Sequence, residues 1–284
     1  METKMAEYDP FNVAAILPDF DAQFEEMQTA SNATRRTLRS QLDIPYGDAP
    51  RQRIDLFFPP GEANGLPLHL FIHGGYWRGQ VKEDYAFVAD GVVAEGAIAA
   101  IVEYTLMPGV RMANLVRETR EAAAWLAANA HEFGGDGARL SASGHSAGGH
   151  LVTYLASQSP HETRPPATWI RALVSLSGIF DLRPIITSYL QRELSLTPEE
   201  VTHWSPFDAV PRPDVHFSLA VGHAETPPFH QQAQDYAFVL EKHGVVVERH
   251  TIAGRDHMSA LRDTARPGTQ MHAVLADAIE RSRA

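Results

Sequence analysis

Residues 140–151 read Leu140-Ser141-Ala142-Ser143-Gly144-His145-Ser146-Ala147-Gly148-Gly149-His150-Leu151. The pentad from Gly144 to Gly148 is a G-x-S-x-G motif. A serine with glycine two residues away on either side suits a sharp strand-to-helix turn. The backbone there is strained, and its neighbours must lack side chains for the hydroxyl to project. The motif alone is also compatible with a Gly-rich turn around a buried serine. Its context favours the first reading, because a strand-like run (Arg139 to Ala142) precedes it and a helix-like run (Gly149 to Ser157) follows. The stretch therefore predicts a sheet with Ser146 presented as a nucleophile where a strand hands over to a helix.

The same alternation extends in both directions. Strand-like runs occur at Arg53–Phe58, Leu68–His73, Ala97–Tyr104, Leu140–Ser143, Ala172–Ser177, His216–Val221 and Val245–Ile252. Helix-like stretches fall between and after them, at Val81–Glu95, Met112–Phe133, Gly149–Ser157, His230–His243 and Ser259–Arg283. Short apolar runs separated by helices imply a mostly parallel central sheet covered on both faces. The predicted fold class is α/β, with one main domain over residues 46–284. Two segments stand outside the alternation. Residues 1–45 read as an N-terminal helical segment, with an amphipathic stretch around Asp21–Leu42, and residues 181–213 are proline-rich, with a helix start at Thr197-Pro198-Glu199-Glu200. Both are candidates for a small lid over the carboxyl edge of the sheet, the alternative being surface excursions with no part in binding.

Composition narrows the function classes. With 284 residues, 44% of them hydrophobic, the chain can bury a large core. Its formal charge of -11, with no basic cluster denser than Arg35-Arg36, argues against a nucleic-acid partner. The absence of cysteine removes disulfides, thiolate catalysis and Cys-based zinc sites together. The N-terminal residues show no secretory pattern, and the longest apolar stretch, Gly91 to Val102, is interrupted by Glu95 and too short to span a bilayer. A cytoplasmic protein without a membrane partner is expected. A homodimer is left open.

A serine hydroxyl needs a histidine to take its proton, and a carboxylate must hold that histidine in the right tautomer. With a G-x-S-x-G turn the chain order can be Ser, acid, His, the last two on loops after later strands. His257, in Ala253-Gly254-Arg255-Asp256-His257-Met258, follows the last strand-like run and precedes the last helix. Glu225, in Gly222-His223-Ala224-Glu225-Thr226-Pro227, holds the matching place after the preceding strand. Its rivals fit less well: Asp256 is adjacent to His257 in sequence, and Asp214 lies before its strand. Acyl transfer builds negative charge on a carbonyl oxygen, which preorganised N–H groups receive. The run His73-Gly74-Gly75-Tyr76-Trp77 offers Gly74, Gly75 and Tyr76 as donors, with Ala147 after the nucleophile as the other. Tyr76, Trp77, His145 and Phe180 are candidates to contact substrate, with burial in the core the competing reading for the aromatics. His145 and His150, five residues apart on a turn-to-helix, would not share a face, so a zinc site fits poorly and no metal or cofactor is expected.

These motifs, together with Ser177-Gly178-Ile179-Phe180-Asp181-Leu182-Arg183-Pro184 and the segments Tyr46-Gly47-Asp48 and Asp55-Leu56-Phe57-Phe58-Pro59, resemble the kynurenine formamidase (arylformamidase) group of α/β-hydrolases. The resemblance runs from about Tyr46 to the C-terminus. It implies Ser146 as nucleophile, His257 as base, Glu225 as acid, and an oxyanion hole from Gly74, Gly75 or Tyr76 with Ala147. The group usually carries aspartate where this chain has Glu225. The expected activity is metal-independent hydrolysis of an aryl formamide such as N-formylkynurenine through an acyl-enzyme. Carboxylesterase action on short-chain or aryl esters is the alternative, and a ligand-binding protein on a hydrolase fold the remote one.

Overall fold

Runs rich in β-branched and aromatic residues become strands where both their faces can be buried. The computed structural model describes residues 8–61, 64–163, 166 and 169–284. In it the strands are β1 (Arg39–Pro45), β2 (Arg53–Phe58), β3 (Leu66–Ile72), β4 (Ile98–Val102), β5 (Gly135–His145), β6 (Ser157–Gln158), β7 (Ile170–Leu176), β8 (Val210–Pro211), β9 (His216–Gly222) and β10 (Val247–Ile252). The helices are α1 (Val13–Ile16), α2 (Phe20–Thr37), α3 (Val88–Ala94), α4 (Met112–Asn129), α5 (Ala147–Thr153), α6 (Gln191–Leu194), α7 (Pro198–Trp204), α8 (Pro227–Lys242), α9 (His257–Arg262) and α10 (Gln270–Arg281).

Eight strands form one sheet in the order β1-β2-β4-β3-β5-β7-β9-β10, while β6 and β8 pair separately. The β1–β2 and β2–β4 pairings are antiparallel. Every pairing from β4 through β3, β5, β7 and β9 to β10 is parallel. Side chains alternate between two cores. Leu68, Leu70 and Ile72 of β3 pack on one face with α4, α5 and α8, and Phe71 packs on the other with α3 and α10. The expected mostly parallel sheet covered on both faces is the one observed. No helix among the described residues is long and apolar enough to cross a membrane.

Three local expectations need correction. The amphipathic stretch Asp21–Leu42 is not one element: α2 stops at Thr37 and β1 starts at Arg39. β1 is an edge strand with mostly exposed side chains, so it carries no apolar alternation to betray it. The helix expected over Ser259–Arg283 is broken after α9 by Pro267-Gly268, with Gly268 at φ +87°, and restarts as α10 behind the Thr269 cap. The helix expected over Val81–Glu95 is a single 3₁₀ turn, Lys82–Tyr85, followed by α3. The predicted start at Thr197 is as read: its hydroxyl accepts from Glu200 N–H, with Pro198 at the first helical position. Of the candidate lid at 1–45, residues 1–7 lie outside the described residues.

Candidate active site

Ser146 links β5 to α5 with φ 55° and ψ −117°, a conformation that side-chain-bearing residues rarely adopt. The turn is tight enough to demand its glycines. A Cβ on Gly144 would sit 2.1 Å from the Gly148 carbonyl oxygen, and one on Gly148 2.0 Å from that of Ile72. Ser146 N–H donates to the Leu176 carbonyl at 2.9 Å, which ties the turn to the end of β7.

His257 opens α9, and Glu225 lies in the loop after β9. Glu225 Oε2 meets His257 Nδ1 at 2.6 Å. The other oxygen, Oε1, accepts from Gly222 N–H at 2.7 Å and Ser177 Oγ–H at 2.5 Å. The carboxylate is thus clamped on one oxygen and aimed with the other, its side chain only 1% exposed. Asp256, the neighbouring rival, is committed elsewhere: Oδ1 accepts from Met258 N–H and Ser259 N–H, capping α9, and Oδ2 accepts from Gln23. Asp214 pairs with Arg212 before β9, at the opposite edge of the sheet.

Ser146, His145 and His257 line a cavity of about 230 Å³ together with Tyr76, Arg78, Tyr189 and Met258. Ser146 and His257 face it without a hydrogen bond between them, a link that commonly tightens only when substrate binds. Residues before α2 supply one wall through Val13 and Ala14. That segment is pinned to the loops around the site. Tyr76 Oη–H donates to the Phe11 carbonyl, Thr226 Oγ1–H to that of Pro10, and Asp9 Oδ2 accepts from Tyr189 N–H. Phe11 in turn packs edge-on against Phe229, whose ring lies 4.9 Å from that of His257.

The loop after β3 takes a left-handed path, with φ 104° at Gly75, 49° at Tyr76 and 58° at Trp77. A Cβ on Gly75 would fall 2.3 Å from the Gly79 carbonyl oxygen. Among the described residues the N–H groups of Gly75, Tyr76 and Ala147 donate to no acceptor. Gly74 lies against the turn, where a Cβ would come 3.3 Å from that of Ser146. His73 braces this loop from beneath. Its Nδ1 meets the Gly74 carbonyl at 2.7 Å, its Nε2 meets Glu103 Oε1 at 3.1 Å, and its ring stacks on Tyr104. Burial pushes Glu103 up, but hydrogen bonding and charge from His73, with Arg51 adding, hold it below the ordinary carboxylate range.

Other candidates are placed differently. Trp77 is fully buried and donates through Nε1–H to His150 Nδ1, so it belongs to the core and not to the cavity. Phe180 is likewise buried, stacked on Tyr236 at 4.4 Å. Their hydrophobicity could be read from sequence, but whether a loop aromatic turns inward depends on packing partners far away in the chain. His145 is on the cavity wall, with Nε2 bonded to the His257 carbonyl at 3.0 Å. Burial, with the charge of His257 adding, drives its pKa well below the ordinary imidazole value, so the ring is neutral. His150 is also neutral, pushed by burial to about 4, and bonds the Trp204 carbonyl. Sequence reasoning assigned no role to Ser177, Arg78 or Glu103. Ser177 had one signal, the turn Ser177-Gly178 just beyond a strand.

Comparison with known proteins identifies the family and the fold. The BD-FAE family model matches residues 54–226. The chain is 27% identical over 247 residues to kynurenine formamidase of Danio rerio, covering 84% of this chain and 82% of that one. A solved structure from Silicibacter sp. TM1040, described as a thioesterase, superposes with TM-score 0.81 at 26% identity, covering 94% of this chain and 97% of the other. The esterase of Pyrobaculum calidifontis shares the fold, with TM-score 0.73 at 17% identity over 95% of this chain and 93% of its own.

Proposed function

The chain belongs to the BD-FAE family and is a hydrolase of the α/β-hydrolase fold, and from that premise we propose that it is an arylformamidase-like serine hydrolase with Ser146, His257 and Glu225 as its triad. The observation that carries the reading is the 2.6 Å bond from His257 to a carboxylate clamped by Ser177 and Gly222, in the cavity that Ser146 enters. Ser146 Oγ attacks the carbonyl carbon as His257 Nε2 takes its proton. The oxyanion is received by the unspent N–H groups of Ala147 and of Gly75 or Tyr76. The tetrahedral adduct collapses when His257 returns the proton to the departing aniline nitrogen, leaving formyl-Ser146. Water, deprotonated by His257, then releases formate. The described residues before α2, through Val13 and Ala14, and the 181–213 insertion, through Tyr189, act as the lid of the cavity.

The formamide reading draws support from the Danio rerio relative, a kynurenine formamidase. Short-chain ester hydrolysis is the second reading, supported by the fold shared with the Pyrobaculum esterase. The test is turnover of N-formylkynurenine beside p-nitrophenyl acetate and butyrate, by the wild type and Ser146→Ala. A formamide kcat/KM well above the ester values, reduced by about 10³-fold or more in the variant, is expected. Fast ester turnover with a negligible formamide rate transfers the assignment to carboxylesterase. Turnover that persists in Ser146→Ala overturns the triad.

A further inference from the structure

We propose that Arg78 makes this cavity a site for acyl compounds whose leaving group bears a carboxylate, and that Glu193 holds the guanidinium until such a carboxylate displaces it. The inference rests on the serine-hydrolase reading of the cavity, not on the formamide one. Among the described residues Arg78 is the sole Lys, Arg, Asp or Glu on the cavity wall. A chain with formal charge -11 thus surrounds its nucleophile with a single fixed cation and no opposing carboxylate on that wall.

The position of Arg78 is set by the turn that presents the oxyanion donors. Its own N–H donates to the Gly75 carbonyl at 3.1 Å, so the guanidinium stem is fixed relative to the reacting carbonyl. Its side chain reaches the 181–213 insertion, where Nη1 pairs with Glu193 Oε2 at 2.7 Å, and Tyr189 of the same insertion shares its cavity wall. Nε is buried and has no hydrogen-bond partner. A strut that merely tied the insertion to the loop would not need to stand on the cavity wall beside Ser146. Glu193 is half-exposed, and an exposed ion pair is weakly held. A ligand carboxylate meeting the planar fork in a drier place makes the stronger pair.

Two matched pairs of substrates test this: 3-acetoxybenzoate against methyl 3-acetoxybenzoate, followed by acetate release, and 2-formamidobenzoate against formanilide, followed by formate release. The wild type is expected to favour the anionic ester in kcat/KM by about tenfold, mainly through KM. In Arg78→Gln that ratio falls by about tenfold or more, Arg78→Lys retains part of it, and Glu193→Gln raises it a few-fold. If the ester pair behaves so while neither formamide is turned over, the inference stands and the formamidase reading falls. If Arg78→Gln lowers both esters alike and leaves the ratio unmoved, the inference falls whatever the formamides do. Calorimetric titration with benzoate gives a readout that needs neither turnover nor a folded Arg78 variant. Tighter benzoate binding by Glu193→Gln than by wild type supports the displacement, and absent or unchanged binding overturns it.

Discussion

At the scale of single residues, the site depends on a carboxylate whose two oxygens do different work. Ser177 Oγ and Gly222 N–H hold Glu225 Oε1, so Oε2 faces His257 Nδ1 and favours the imidazole tautomer that leaves Nε2 free to accept a proton. Ser177 itself sits at φ 53°, a strained setting for a residue with a Cβ. Ser177→Ala should therefore lower kcat about tenfold with little change in KM, since it loosens the acid without touching substrate. Steady-state kinetics on p-nitrophenyl acetate checks this, and an unchanged kcat would show that Gly222 alone suffices to orient Glu225. Ser146, Glu225, His257 and the glycines were legible in the sequence because each is dictated by local backbone geometry or by its place at a strand's carboxyl end. Arg78 was not, and Ser177 only through the turn it begins, because what a serine or arginine contacts depends on what it meets across the sheet edge.

At the scale of elements, the alternation of strands and helices was readable wherever burial enforces it, and failed where it does not. β2 spans the residues expected, Arg53–Phe58, because it is buried between β1 and β4. β1, exposed at the sheet edge, read as a continuation of α2. The segment before α2 shows the same limit. Four short residues of α1 and the turn ahead of it have little propensity of their own. They are held by bonds from Tyr76, Thr226 and Tyr189 to Phe11, Pro10 and Asp9. Asp9→Ala removes the acceptor for Tyr189 N–H and should loosen the wall formed by Val13 and Ala14. The expected result is a rise of about fivefold in kcat/KM for p-nitrophenyl hexanoate relative to acetate, the equivalent of one hydrogen bond of about 1 kcal/mol. An unchanged chain-length profile would show that the segment does not limit acyl size.

At the scale of the whole molecule, the buried histidines tie the fold to pH. His69 lies fully buried in β3 between Ser141 Oγ at 2.8 Å and Ser143 Oγ at 2.7 Å, and burial pushes its pKa to about 3. His150 is pushed by burial to about 4, and His145 well below its ordinary value. Each is neutral when folded and titrates near 6.5 when unfolded. Below that value the unfolded chain binds more protons than the folded one, so stability falls as pH falls, starting near 6.5 and continuing toward the folded values. One unit below 6.5 the loss is about 1.4 kcal/mol per histidine, or about 4 kcal/mol for the set, a large share of an ordinary domain's stability. Glu103 and Asp43, held below their ordinary values of 4.5 and 3.8, add to the loss only at lower pH. Urea unfolding followed by tryptophan fluorescence should show a small change in midpoint between pH 7.5 and 6.5 and a steep drop between 6.5 and 5.5. His69→Gln, which can still bond both serines but does not titrate, should flatten that drop by about 1 kcal/mol whatever its own effect at pH 7.5. A drop of undiminished steepness in the variant would mean that His69 is not among the groups that link this fold to acid.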